Sequence, residues 1–322
     1  MASDWQPTAE IATLRERARL LARVRAFFAE RDVLEVETPV LGRGGSTDVH
    51  LDSLCTEART PAGRERLWLQ TSPEFAMKRL LAAGSGPIFQ LARCFRDGET
   101  GARHNLEFTM LEWYRPGFSL AALIDETEAL VRTLLPGRGA CRRHRYRALF
   151  RQRLGVDPFT TPLAELRRLA GERGGLDMRD ADRDGCLDLL ISFAIEPHLG
   201  REGIDVVVDY PASQAALARH GVDDEGDAVA ARFELYVDGL ELANGYDELV
   251  DADEQAARFA ADNAAREAAG KPAVDVDQRL IAALEAGMPE GSGVALGIDR
   301  LIQLALGHRE LAEVLAFPAS RC

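Results

Sequence analysis

Residues 107–114 read EFTMLEWY, an alternation that puts Phe108, Met110, Glu112 and Tyr114 on one side of an extended chain. A face made only for the core would not carry Glu112. The stretch is therefore either an edge strand with a solvated carboxylate or a strand whose polar face does chemistry.

The pattern elsewhere predicts an alternation of helices and hairpins. Ile11, Leu14, Ala18, Leu21, Val24 and Phe28 recur at the three-and-four spacing of an amphipathic helix. VETPVL follows, with Val36, Thr38 and Val40 alternating as in a strand and Pro39 confining it to an edge or bulge. RERLWLQ reads as a strand, and TSPE then opens a helix with Ser72 as N-cap and Pro73 at its first position. PIFQLARCFRD and RHNLEFTMLEWYR form a hairpin across the polar loop 97–102.

Residues 136–211 are rich in Arg and Leu and helical in pattern, an insertion within one domain. IDVVVDYP then reads as a buried strand, and Asp238-Gly239 as the turn of a hairpin whose second strand puts Asn244, Tyr246 and Glu248 on one face. GSGVALGIDRLIQLALG is a glycine-rich strand running into a helix. Arg300 falls in its first turn, where a cation opposes the macrodipole, a broken local rule that points to function.

Composition narrows the partners. In 322 residues, 46% hydrophobic and 28% charged, charges interrupt every apolar run before the roughly 18 residues of a membrane span. The opening MASDWQPTAE shows no leader pattern, so a cytoplasmic location is expected. Five widely spaced cysteines form no C-x-x-C pair. A net charge of −13 repels a phosphate backbone, so tRNA is not expected as a partner. The one basic cluster, CRRHRYR at 141–147, is either a solvated face or, through Arg142, Arg143, Arg145 and Arg147, a contact for an acceptor protein. The sole Gly-Lys pair precedes Pro272, so any use of ATP is without a P-loop.

Antiparallel hairpins with outer helices give an α+β core. Arg96, Glu107 and Glu112 from one hairpin, Glu234 and Glu241 from another and Arg300 from the last helix are expected to converge on it. Carboxylates paired across a hairpin with arginines nearby suit Mg²⁺ bridging a polyphosphate.

The chain resembles the catalytic core of a class II aminoacyl-tRNA synthetase of the lysyl type. The first helix with VETPVL corresponds to motif 1, CFRDGETGARHNLEFTMLEWY to motif 2 and GSGVALGIDRL to motif 3. The resemblance implies an antiparallel six-to-seven-stranded sheet flanked by helices, ATP bound against it with Mg²⁺, and a homodimer through motif 1. It also implies roles. Arg96 grips the α-phosphate, and Phe108 stacks on adenine with Arg300 covering the other face. Asp97, Asn105, Glu107, Glu241, Leu242 and Gly297 complete the nucleotide contacts, Asn105 also reaching the substrate carboxylate. Glu234 and Glu241 hold Mg²⁺. Ser72, Pro73, Glu74, Glu112, Tyr114, Asn244, Tyr246, Glu248 and Ala295 line the amino-acid pocket, with Glu74 and Glu248 on the two amino groups of a lysine-like substrate. The motif 2 loop departs from the family's Arg-Asn-Glu-Glu, reading Arg96-Asp97-Gly98-Glu99, so the contact from position 98 is missing and falls to Glu99 or is weaker.

Only about ten residues precede the first helix, against roughly 50 or more for a domain, so no anticodon-binding domain is expected and residues 1–322 read as one catalytic domain. That pattern resembles the truncated paralogues of the family, which activate (R)-β-lysine as an adenylate and transfer it to a lysine of translation elongation factor P. Ala295 stands where lysyl-tRNA synthetases usually have glycine, and its methyl group would shift preference from α- to β-lysine. The alternatives are a stand-alone lysyl-tRNA synthetase-like enzyme using L-lysine and a non-catalytic binding paralogue.

Overall fold

The apolar stripe of Ile11–Ala29 does form helix α1, with Leu20, Val24, Phe27 and Phe28 buried. The computed structural model describes residues 5–322; residues 1–4, part of the leader reading and the start of the expected domain, lie outside them. The other helices are α2 (Glu74–Ala82), α3 (Leu120–Leu134), α4 (Tyr146–Leu154), α5 (Leu163–Gly174), α6 (Arg183–Leu190), α7 (Ala252–Ala268), α8 (Gln278–Glu285) and α9 (Ile298–Ala305). The strands are β1 (Leu34–Glu35), β2 (Leu41–Gly42), β3 (Cys55–Thr60), β4 (Gly63–Leu69), β5 (Ile88–Phe95), β6 (Glu107–Pro116), β7 (Cys141–Arg145), β8 (Ile204–Pro211), β9 (His220–Val222), β10 (Ala228–Val237), β11 (Leu240–Asp247) and β12 (Gly291–Gly297). The chain divides into two compact units, Met1–Phe118 with Thr133–Leu135 and Leu249–Cys322, and Ser119–Arg132 with Pro136–Glu248. None of the described helices is long and apolar enough to cross a membrane.

In the first unit the strands run β1-β5-β6-β12. Pairing is antiparallel except for β1 on β5, which is parallel. One face is closed by α1, where Phe28 stacks on Phe89 at 4.4 Å and meets Trp113 at 5.3 Å. Each such fully buried aromatic contributes about 1.5–3 kcal/mol through the hydrophobic effect. Register assigns the other face: Cys94 opposite Phe108, Ala92 opposite Met110, Gln90 opposite Glu112 and Ile88 opposite Tyr114. On the far side of β6, Ala295 pairs with Glu112 and Gly297 with Met110. The alternation expected of EFTMLEWY is thus the one observed.

The strand expected around Val36–Val40 does not form. Two-residue strands flank the Pro39 stretch instead, β1 joining β5 and β2 joining β4 in a separate sheet ordered β2-β4-β3. A proline supplies no ladder donor, and the chain changes sheets there.

In the second unit the strands run β11-β10-β8-β7, with β9 also on β10. The four strands of one unit and five of the other exceed the expected six to seven, and β7 on β8 is a second parallel pair. A parallel pair needs a long crossover; α4, α5 and α6 supply this one and bury Phe150, Leu166, Leu187 and Leu190 in a common core with Val207, Tyr210 and Tyr236. The segment expected to be helical therefore opens with a strand. Asp238 and Gly239 both have positive φ, 55° and 73°, as a tight two-residue hairpin turn requires.

The basic cluster is ion-paired throughout: Arg142, Arg143 and Arg145 are exposed, as a solvated face requires, and of the four arginines Arg147 alone is buried. Arg142 pairs with Asp205 at 2.9 Å and Glu202 at 3.0 Å, Arg143 with Asp125, and Arg145 with Asp224. Arg147, 5% exposed, is held by Asp223 at 3.0 Å, Glu225 at 3.1 Å and Asp227. Acidic residues far along the sequence account for this, and a window of seven residues could not reveal them.

Candidate active site

In the first unit, the face of β6 turned away from α1 carries the expected residues in order. Glu112, 1% exposed, accepts a hydrogen bond from Ser72 Oγ at 2.6 Å on Oε1 and from Tyr114 Oη at 3.0 Å on Oε2. A buried carboxylate is tolerable only with such donors. Helix α2 begins at Glu74 with Pro73 as cap residue, one position later than expected. Ser72 still serves the helix start, its Oγ accepting from the Glu74 backbone N–H at 3.1 Å. That one hydroxyl joins the helix start to the site carboxylate.

Glu74 has a partner that the sequence reading missed. Lys78, one of only two lysines and 1% exposed, lies 2.6 Å from Glu74 Oε1 one helical turn on. The carboxylate expected to meet a substrate amino group is thus already balanced by a buried ammonium.

The aromatic platform carries a contact that the sequence reading did not assign. Arg96 lies over the Phe108 ring at 5.1 Å. Arg300 donates from Nε to the Arg103 carbonyl at 3.4 Å and meets His104 Nε2 at 2.7 Å. The motif 2 loop explains this, because a Gly101–His104 bridge folds it back within reach of the first turn of α9. Burial, with the neighbouring Arg300 charge second, holds His104 below the usual imidazole pKa, so it meets Arg300 as a neutral acceptor. Gly98 sits at φ 76°, and Glu99 is the loop acid that reaches Arg96, at 3.5 Å.

The remaining first-unit residues divide. Asn105 braces the chain, donating to the Glu107 carbonyl at 2.5 Å and accepting from the Ala319 N–H at 2.9 Å. Glu107 is exposed and, by alternation from Phe108, on the opposite face, 3.7 Å from Arg93. Asp97 accepts from the Gly98 N–H at 2.9 Å, and Gly297 ends β12 as the N-cap residue of α9. Asp299, absent from the expected set, is 2% exposed and bonds the Thr109 N–H at 2.7 Å and Arg17 at 2.5 Å, fixing α9 to β6 and α1.

In the second unit, Glu234 and Glu241 are not directly opposite. The register pairs Glu234 with Asn244 and Tyr236 with Glu241, and shifts between Leu235 and Tyr236. This bulge turns Glu241 onto the face of Asn244 and Tyr246, three and five residues away, where strict alternation would have put it on the other side. Leu242, at the bulge, is buried. Glu234 accepts from Tyr210 Oη at 2.6 Å and in shorter contacts from Tyr236 Oη and Arg232. Burial and then the Glu234 charge hold both phenols well above their ordinary pKa, so they stay donors. Glu248 lies past the end of β11, in a bridge with Ala218 rather than on the strand with Tyr246; it is 2% exposed, and its carbonyl accepts from Arg219 at 2.9 Å.

No group of three or more His, Cys, Asp or Glu among the described residues stands ready to hold a metal ion. A carboxylate has about four lone-pair sites, so Glu234, accepting three hydrogen bonds, keeps room for one more contact beside half-buried Glu241. That fits Mg²⁺, which takes one or two carboxylates and fills its shell with phosphate and water.

The elongation factor P–(R)-β-lysine ligase of Vibrio cholerae is 51% identical to this chain over 323 residues, covering 99% of each chain. The protein of that name from Mannheimia succiniciproducens is 50% identical over 315 residues, 97% of each chain, and that from Haemophilus influenzae 48% over 320 residues, 98% of this chain and 97% of its own. The family model for class II tRNA synthetases (D, K and N) matches residues 4–321. With the three motifs folded as described and nearly the whole length matched, the chain belongs to the class II tRNA synthetase family.

Proposed function

We propose that the chain is an ATP-dependent ligase that activates (R)-β-lysine as an aminoacyl adenylate and transfers it to a lysine of translation elongation factor P, working as a homodimer and as a single catalytic domain with an inserted helical segment. The observation that carries this reading is the likeness, along 97% to 99% of the chain, to relatives bearing that name. The face of β6 turned away from α1 supports it, with an arginine-covered aromatic, a hydrogen-bonded buried carboxylate and, opposite that carboxylate, Ala295.

In the first step the β-lysine carboxylate attacks the α-phosphorus of ATP and pyrophosphate leaves. Phe108 stacks on adenine, and Arg96 stabilises the charge that builds on the α-phosphate. Arg300, held in place by neutral His104, faces the nucleotide. Glu112, Tyr114, Ser72, Asn244 and Tyr246 orient the amino acid, with Glu74 and Glu248 toward its ammonium groups. Glu241 and Glu234 would hold Mg²⁺, which supplies charge neutralisation at the phosphates. In the second step the ε-amine of the acceptor lysine, as the free base, attacks the adenylate carbonyl, AMP leaves with the bonding electron pair, and the nitrogen gives up one proton to water as the amide forms. Positioning dominates over acid–base work.

The test is transfer itself. Purified chain, ATP, Mg²⁺, (R)-β-lysine and elongation factor P should yield acceptor heavier by one lysyl residue on one lysine. Transfer to tRNA instead would support the synthetase-like alternative.

A further inference from the structure

We infer that Arg232 is a positioning residue that ties the metal-side carboxylate Glu234 and the amino-acid-side amide Asn244 into one rigid unit, so that neither can be oriented without the other. The inference rests on the functional reading above, and all its partners lie in the second unit. Arg232 spends each guanidinium nitrogen on a different partner. Nε donates to Asn244 Oδ1 at 3.1 Å, one terminal nitrogen to the Gln214 carbonyl at 2.8 Å and the other to Glu234 Oε1. Its plane lies over the Tyr210 ring at 4.5 Å, and the same tyrosine donates to Glu234 Oε2 at 2.6 Å. Glu234 and Asn244 are a directly paired cross-strand couple, so one cation bridges both strands of the hairpin on the face carrying the candidate site residues.

The third partner extends the unit. Gln214 belongs to the loop 212–216, which α6 anchors through Asp184 to Ser213 Oγ at 2.8 Å and through Asp188 to Gln214 Nε2 at 2.7 Å. Ala216 in this loop holds φ 47°, a conformation L residues seldom adopt. A planar fork with fixed nitrogens meets three partners at once, and an ammonium on a flexible stem does not.

The test uses full-length Arg232→Lys and Asn244→Ala. It reads Mg²⁺ dependence and the (R)-β-lysine KM in ATP–pyrophosphate exchange, calorimetric binding of ATP with and without Mg²⁺, and melting temperature. Arg232→Lys should raise both the half-saturating Mg²⁺ and the amino-acid KM about tenfold, the usual scale for losing an outer-shell partner, while Mg²⁺-free ATP binding stays unchanged. Asn244→Ala, which leaves the arginine present, should raise the amino-acid KM and also raise the Mg²⁺ requirement, by less than Arg232→Lys does, through the slackened guanidinium. A lowered melting temperature with unchanged Mg²⁺ and amino-acid constants, or an Asn244→Ala effect confined to the amino acid, would overturn the inference alone. Wild-type chain without lysine-dependent exchange would overturn the functional reading and the inference with it.

Discussion

Ala295 lies directly across the sheet from Glu112, paired in register on the face that carries Phe108 and Met110. Directly opposed Cβ atoms stand about 4.5–5.5 Å apart, so the methyl group limits the space beside the carboxylate. Ala295→Gly should move the α-to-β-lysine preference in pyrophosphate exchange toward L-α-lysine by about tenfold, within the 10–200-fold range a missing methylene commands. An unchanged preference would remove Ala295 as the discriminator.

Ser72→Ala deletes the donor to Glu112 Oε1 and the acceptor for the Glu74 N–H. Losing such a bond to a charged group costs about 1.5–3 kcal/mol. The amino-acid KM should rise at least tenfold while the ATP KM holds; equal rises in both would contradict the assignment to the amino-acid side.

Arg96→Ala removes both the cover over Phe108 and the charge assigned to the α-phosphate. Exchange should fall by about 10²–10³, the scale for one transition-state donor. A variant with near-normal exchange would refute the role.

His104 gives the pH prediction. Its folded pKa is depressed, so its contribution to stability is present above the unfolded value of about 6.5 and is lost as pH falls through the folded value. His104→Gln keeps an acceptor for Arg300 but cannot titrate. Between pH 7 and 5, denaturant unfolding of the variant should lose less stability than wild type. Parallel losses would show that His104 does not titrate between the two states.

Much of the first unit was legible in the chain. Period-two alternation alone placed Phe108, Met110, Glu112 and Tyr114 on one face, and the helix stripe named Val24 and Phe28. What was not legible depends on partners distant in sequence. Arg147 is neutralised by residues 223–227, Lys78 shows its burial only in the fold, and Asp299 acts through Thr109 and Arg17. The bulge after Leu235 reversed the facing of Glu241, which no side-chain pattern marked. Arg232 went unremarked because one arginine among 39 basic residues looks like surface charge until its three acceptors are seen.

The central claim is adenylation of a lysine-type amino acid. Amino-acid-dependent ATP–pyrophosphate exchange by the purified chain, compared for (R)-β-lysine, L-α-lysine and no amino acid, tests it most directly. The account predicts strong exchange with the β-isomer, weaker exchange with the α-isomer and none without amino acid. Exchange with L-α-lysine alone, or with neither, would contradict it.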